Sequence, residues 1–102
     1  MKARGYQNTP LALTEFGILL PADYGYSPEV VRQYLTDTFQ WLAGAADPQI
    51  GMPGDDHHLV QRWAWFSLAD TLYPVSDLAD LQSLRLTPAG EAYRDFMLNS
   101  VR

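Results

Sequence analysis

Pro10-Leu11-Ala12-Leu13-Thr14-Glu15-Phe16-Gly17 is a short apolar run, preceded by the turn-like Gln7-Asn8-Thr9 and closed by a glycine. Apolar side chains fall at both odd and even positions, so the run reads as a strand buried on both faces, the pattern of a parallel sheet covered by helices. One ionisable residue interrupts it near its carboxyl end. With side chains alternating along a strand, Leu11, Leu13 and Glu15 share one face and Ala12, Thr14 and Phe16 the other. Parallel α/β sheets place reactive groups at the carboxyl ends of their strands, which makes Glu15 the first candidate functional residue. A strand-end glutamate that reaches solvent, or that pairs with a cation such as Arg62, is the alternative that spacing alone leaves open.

Downstream, the loop Ile18 to Tyr26 carries Pro21, Gly25 and two tyrosines, Tyr24 and Tyr26. Ser27-Pro28-Glu29 then reads as a helix start: serine caps orphan amides, proline fits the first helical position, and glutamate suits the positive end of the helix dipole. Val31, Leu35, Thr38 and Leu42 form an apolar stripe, widened by Tyr34, Phe39 and Trp41, and Gly44 and Pro48 end the helix. Residues 46–60 are irregular and rich in Asp, Gly and Pro. Val60 to Leu68 is an aromatic run of strand length, and 69–86 reads as a long loop with a brief extended piece at Leu84 to Leu86. Thr87-Pro88 opens a second helix whose face is Ala89, Ala92, Tyr93, Phe96 and Met97.

The order strand, helix, strand, helix predicts an α/β fold with a right-handed crossover and two parallel strands. Two strands are too few for an independent sheet. Residues 1–102 therefore read as one partial domain, a piece of something larger or a protomer that completes its sheet by self-association.

Bulk composition agrees with a single modest core. The chain has 102 residues, 47% of them hydrophobic, and a chain of this size buries roughly 65% of its unfolded surface. A whole (β/α)8 barrel needs about 250 residues. Seven basic against twelve acidic side chains give a net charge of −5, with no cluster of cations, which argues against nucleic acid and anionic membranes as partners. Cysteine is absent, removing disulfides, thiolate metal sites and cysteine nucleophiles. Apolar runs are far shorter than the ~20 residues of a membrane helix, and no signal peptide is legible; a complete chain of this kind would be cytoplasmic.

The stretch Pro10 to Gly17 resembles the seventh strand of retaining (β/α)8-barrel glycoside hydrolases of clan A, where proline and apolar residues lead into T-E-F-G. Gln61-Arg62-Trp63-Ala64-Trp65-Phe66-Ser67 is similar to the eighth strand of those barrels, in which a tryptophan floors the sugar subsite. Leu86-Thr87-Pro88-Ala89-Gly90-Glu91-Ala92-Tyr93 resembles the start of their last helix. The three segments come in the family's order. The resemblance implies that the chain corresponds to the last two β/α units, the last quarter of a TIM barrel completed by a missing N-terminal barrel segment, with Glu15 as catalytic nucleophile and Trp65 against the sugar. A core position is the alternative for Trp65. No cofactor is implied. The family's general acid/base ends strand four in an Asn-Glu pair, and these 102 residues contain no such pair. Glu29 and Glu91 are explained by their helix first turns. A retaining reaction needs two carboxyl groups about 5–5.5 Å apart, so the chain alone is expected to be inactive toward glycosides.

Tyr24 and Tyr26 follow the first strand and would stack on sugar or anchor a surface loop. Asp70, Tyr73, Asp77 and Asp80 follow the second strand and would bond sugar hydroxyls or simply be solvated. Trp63 reads as core. Asp55-Asp56-His57-His58 suggests metal at first sight, yet adjacent ligands diverge and no helical i, i+4 histidine pair is present, so a solvated loop is the expectation. Against the hydrolase reading stands a small non-catalytic α/β module that binds carbohydrate or a protein through its aromatic loops.

Overall fold

The computed structural model describes residues 2–20, 24–70 and 74–99. It is mixed α/β. Strand β1 (Ala12–Phe16) leads to helix α1 (Pro28–Gly44), strand β2 (Arg62–Trp65), a two-residue hairpin of β3 (Ala79–Asp80) and β4 (Arg85–Leu86), and helix α2 (Pro88–Asn99). No helix among the described residues is long and apolar enough to cross a membrane.

β1 and β2 pair in parallel, with Ala12 opposite Arg62, Leu13 opposite Trp63 and Phe16 opposite Trp65. Both helices lie on one face of this pair. The Phe39 ring of α1 meets Trp63 at 5.9 Å, Trp65 at 6.2 Å and Phe16 at 6.0 Å. The same ring meets Tyr93 and Phe96 of α2 at 5.6 and 5.2 Å. These edge-on and tilted contacts are the arrangements aromatic quadrupoles favour. Along β2 the half-buried Trp63 and buried Trp65 alternate with the exposed Arg62 and Ala64. Among the described residues nothing covers the second face of the sheet. A strand buried on both sides, the expectation for residues 10–17, is therefore corrected: β1 keeps Leu13 and Phe16 half-buried and leaves Ala12, Thr14 and Glu15 exposed, because the described residues supply no second covering layer.

α1 starts as its sequence dictates. The Ser27 hydroxyl accepts from the Val30 amide at 3.2 Å, Pro28 occupies the first turn and Glu29 lies at the positive dipole end. Val31, Leu35, Phe39 and Leu42 are buried, a 3.6-residue stripe pressed on the sheet. Trp41, expected to widen the core, is instead 60% exposed, and Tyr34 lies at the margin. α2 repeats the cap with Thr87, whose hydroxyl accepts from the Gly90 amide at 3.0 Å and donates to the Asp77 carbonyl at 2.5 Å. Ala89, Gly90 and Ala92 are buried, whereas Met97, expected on the core face, is 54% exposed. Gly90 permits a close approach: a Cβ there would lie 1.8 Å from the Leu78 carbonyl oxygen.

Between α1 and β2 the chain from Ala46 to Leu59 folds on itself through Asp47, Met52, His57 and His58 backbone bonds. The expected extended piece at residues 84–86 is β4, and its partner β3 was not legible because a two-residue strand has no periodicity to read.

Candidate functional site

The register of the two parallel strands fixes the placement of Glu15. Between the pairs Leu13/Trp63 and Phe16/Trp65, β1 contributes two residues, Thr14 and Glu15, against the single residue Ala64. This is a β-bulge, a device that re-aims a side chain near a strand end. Leu13 and Phe16 follow their tryptophan partners toward the helices. Thr14 and Glu15 stand with Ala64 on the exposed side. The strict alternation that put Leu13 and Glu15 on one face is thus corrected, since the extra residue resets the parity after Leu13. Glu15 ends near the carboxyl end of β1 and is the one carboxylate of the two paired strands. Arg62 does not meet it: its strand partner is Ala12, three residues or about 10 Å earlier along the strand.

The loops behind Glu15 are clamped. The Phe66 amide donates to the Phe16 carbonyl at 2.8 Å. Gly17 passes so close to the next strand that a Cβ would sit 2.5 Å from the Phe66 carbonyl oxygen. The fully buried Ser76 hydroxyl accepts from the Ile18 amide at 2.8 Å and donates to the Ile18 carbonyl at 2.9 Å. Both strand exits are therefore held by backbone bonds and one buried hydroxyl, a rigid base for an exposed carboxylate.

Trp65 lies in the core, the alternative left open for it. It is 9% exposed, its indole N–H donates to the Ser76 carbonyl at 2.7 Å, and its ring lies 5.6 Å from Phe16 and 5.8 Å from Tyr34. Its burial has a simple cause: Trp65 shares parity with Trp63 and so turns toward α1. Phe66, one residue beyond the end of β2, is half-buried.

Tyr24 is 65% exposed, and Tyr26 contributes to a cleft of about 170 Å³ with Val31, Pro74, Val75 and Ala89. Asp70, Asp77 and Asp80 do come together, lining a cleft of about 440 Å³ beside the β3–β4 hairpin. The Asp70 amide donates to the Asp77 carboxylate at 2.7 Å. Burial raises the Asp77 carboxyl above its ordinary value of 3.8; the Asp70 amide works against this, and the Asp70 and Asp80 charges add to it. Tyr73 lies outside the described residues.

In the Asp55 to His58 segment the His58 ring Nδ1 sits 2.7 Å from the Asp55 carbonyl, while Asp56 and His57 adopt left-handed backbone, φ 50° and 63°. Among the described residues no three His, Cys, Asp or Glu side chains gather to hold a metal ion. The segment precedes β2 and so lies at the amino end of the strand, away from the end that carries Glu15.

No family model matches the chain, and neither a curated protein nor a solved structure does.

Proposed function

We propose that this chain is the last quarter of the catalytic barrel of a retaining O-glycoside hydrolase, two β/α units with Glu15 as the nucleophile. One observation carries the reading: a lone carboxylate stands in a bulge at the carboxyl end of one of two adjacent parallel strands, on the face opposite both helices. In a (β/α)8 barrel the helices form the outer ring and the opposite sheet face is the interior. Glu15 then rims the mouth, with Phe66 at the exit of the neighbouring strand as the apolar surface for the C–H side of a pyranose. The second carboxyl group comes from outside these residues.

The half-reaction assigned to Glu15 needs no acid when the leaving group departs unaided. Its carboxylate oxygen bonds the anomeric carbon as the C–O bond to the aglycone breaks, and the aglycone leaves as the anion. A panel of dinitrophenyl 2-deoxy-2-fluoro glycosides tests this directly. Intact-mass and peptide analysis is expected to find one fluoroglycosyl adduct on Glu15, absent from Glu15→Gln, with no turnover of glycosides whose leaving group must be protonated. Labelling spread over other carboxylates, or none at all, overturns the assignment.

The exposed Tyr24 and half-covered Tyr26 favour a second reading, a non-catalytic carbohydrate- or protein-binding module. Glycan binding lost in Tyr24→Ala and unchanged in Glu15→Gln would select it.

A further inference from the structure

The bulge that re-aims Glu15 brings a second residue with it. In an unbroken strand neighbours alternate, and Thr14 would turn toward the helices when Glu15 turns away. Here β1 sets both in succession between Leu13 and Phe16, the residues paired with the two tryptophans, and both are exposed. Ala64 is the single β2 residue against them. Its methyl group neither donates nor accepts a hydrogen bond, so no polar side chain of β2 competes for Glu15 at that level. Two side-chain donors stand on this side of the paired strands, Arg62 and Thr14. Arg62 lies opposite Ala12, about 10 Å back along the strand, with its guanidinium donating to the Gln61 carbonyl at 3.0 Å. The Thr14 hydroxyl is one residue from Glu15 and is bonded to no group among the described residues.

The geometry points to Thr14 as the positioning residue of the Glu15 carboxylate: in the substrate complex its hydroxyl donates to one carboxylate oxygen and leaves the other aimed at the anomeric carbon. The inference rests on the reading of Glu15 as nucleophile. An exposed glutamate samples several rotamers, and the search for the attacking one is a cost that a fixed donor removes before the reaction. In the free chain both side chains face water. The bond is made as the sugar covers them, in the way that catalytic hydrogen bonds tighten in the bound complex. The covalent step keeps its balance: a Glu15 oxygen bonds the anomeric carbon, the bond to the aglycone breaks, and the electron pair leaves with the aglycone. The Thr14 proton is shared with the carboxylate and is not transferred. Thr14 acts through Glu15 and does not touch the sugar.

Time courses of Glu15 labelling by a dinitrophenyl 2-deoxy-2-fluoro glycoside, followed by intact mass over a series of glycoside concentrations, test this. They separate the rate constant of adduct formation from the half-saturating concentration for wild type, Thr14→Val and Thr14→Ser. Valine keeps the branched shape and loses the hydroxyl, and at this exposed position the urea midpoint is expected to stay unchanged. Thr14→Val is expected to lower the rate constant about tenfold at an unchanged half-saturating concentration. Thr14→Ser, which keeps the hydroxyl, is expected to restore most of the rate. Equal rate constants for wild type and Thr14→Val overturn the inference, as does a serine variant as slow as the valine one. A higher half-saturating concentration at an unchanged rate constant also overturns it, since Thr14 would then be a sugar contact. Each of these results leaves Glu15 in place as nucleophile. A wild type that is not labelled at Glu15 instead removes the nucleophile and its positioning together, so the two failures are told apart.

Discussion

The Ser76 hydroxyl serves both hydrogen-bonding groups of Ile18, accepting from its amide and donating to its carbonyl across 58 residues of sequence. It thereby ties the exit of β1 to the loop after β2 at a position with no solvent access. Ser76→Ala leaves the Ile18 amide and carbonyl buried without that partner, and each unsatisfied group costs about 1–3 kcal/mol. The expected loss is about 2–4 kcal/mol, read as a lower urea midpoint at unchanged m-value. A loss under about half a kcal/mol would mean that the loops are held by other contacts.

Trp65 tests whether its ring is structural. Trp65→Phe keeps most of the packing with Phe16, Phe39 and Tyr34 but removes the indole bond to the Ser76 carbonyl, a cost of about 1–2 kcal/mol. Trp65→Ala opens a large cavity at the sheet–helix interface and should cost about 3–5 kcal/mol. Denaturant titration orders the three proteins. Sugar platforms tolerate truncation with little loss of stability, so near-equal midpoints would return Trp65 to the binding surface.

Much of this arrangement was legible because local chemistry and tertiary packing agree. Ser27-Pro28 and Thr87-Pro88 announce both helices, and the caps form as written. The parallel pairing of residues 12–16 with 62–65 follows from the order of elements. What the sequence did not disclose is which face of the sheet is covered. Trp63 and Trp65 are both large and apolar, and their assignment to core or mouth turns on a single parity that only the Phe39 contacts fix. The bulge at Thr14 and Glu15 likewise carries no glycine or proline to mark it, so period-two reasoning ran through it. Trp41 sits at core spacing on α1, yet no element among the described residues covers that flank of the helix, and periodicity alone does not say which flanks are covered.

Two glycines in helices separate close approach from mere tolerance. A methyl group at Gly90 would meet the Leu78 carbonyl oxygen at 1.8 Å, backbone that cannot move aside without lifting α2 from Leu78. Gly90→Ala is expected to destabilise by about 3 kcal/mol, at the upper range of overpacking. Gly44 has open space around its missing Cβ and no positive φ. Gly44→Ala should stabilise by about 0.5 kcal/mol through reduced unfolded-state entropy. Thermal melts of both variants suffice, and equal shifts would contradict the close approach of α2 to Leu78.

Asp77 gives the fold a pH dependence of definite sign. Burial, against the opposing bond from the Asp70 amide and with the added charges of Asp70 and Asp80, holds its carboxyl above 3.8 in the folded chain. Below that value the group is neutral in both states. As pH rises the unfolded chain releases this proton first, so it binds fewer protons than the native state and stability falls until pH passes the raised native value. Asp77→Asn keeps an oxygen to accept the Asp70 amide and removes the charge. Its urea midpoint should match wild type at about pH 3 and exceed it at about pH 7, with the gap opening above 3.8 and then levelling. A gap that is constant across this range would mean that folding leaves the carboxyl unshifted, and one that closes as pH rises would place the carboxylate in a favourable rather than a strained setting.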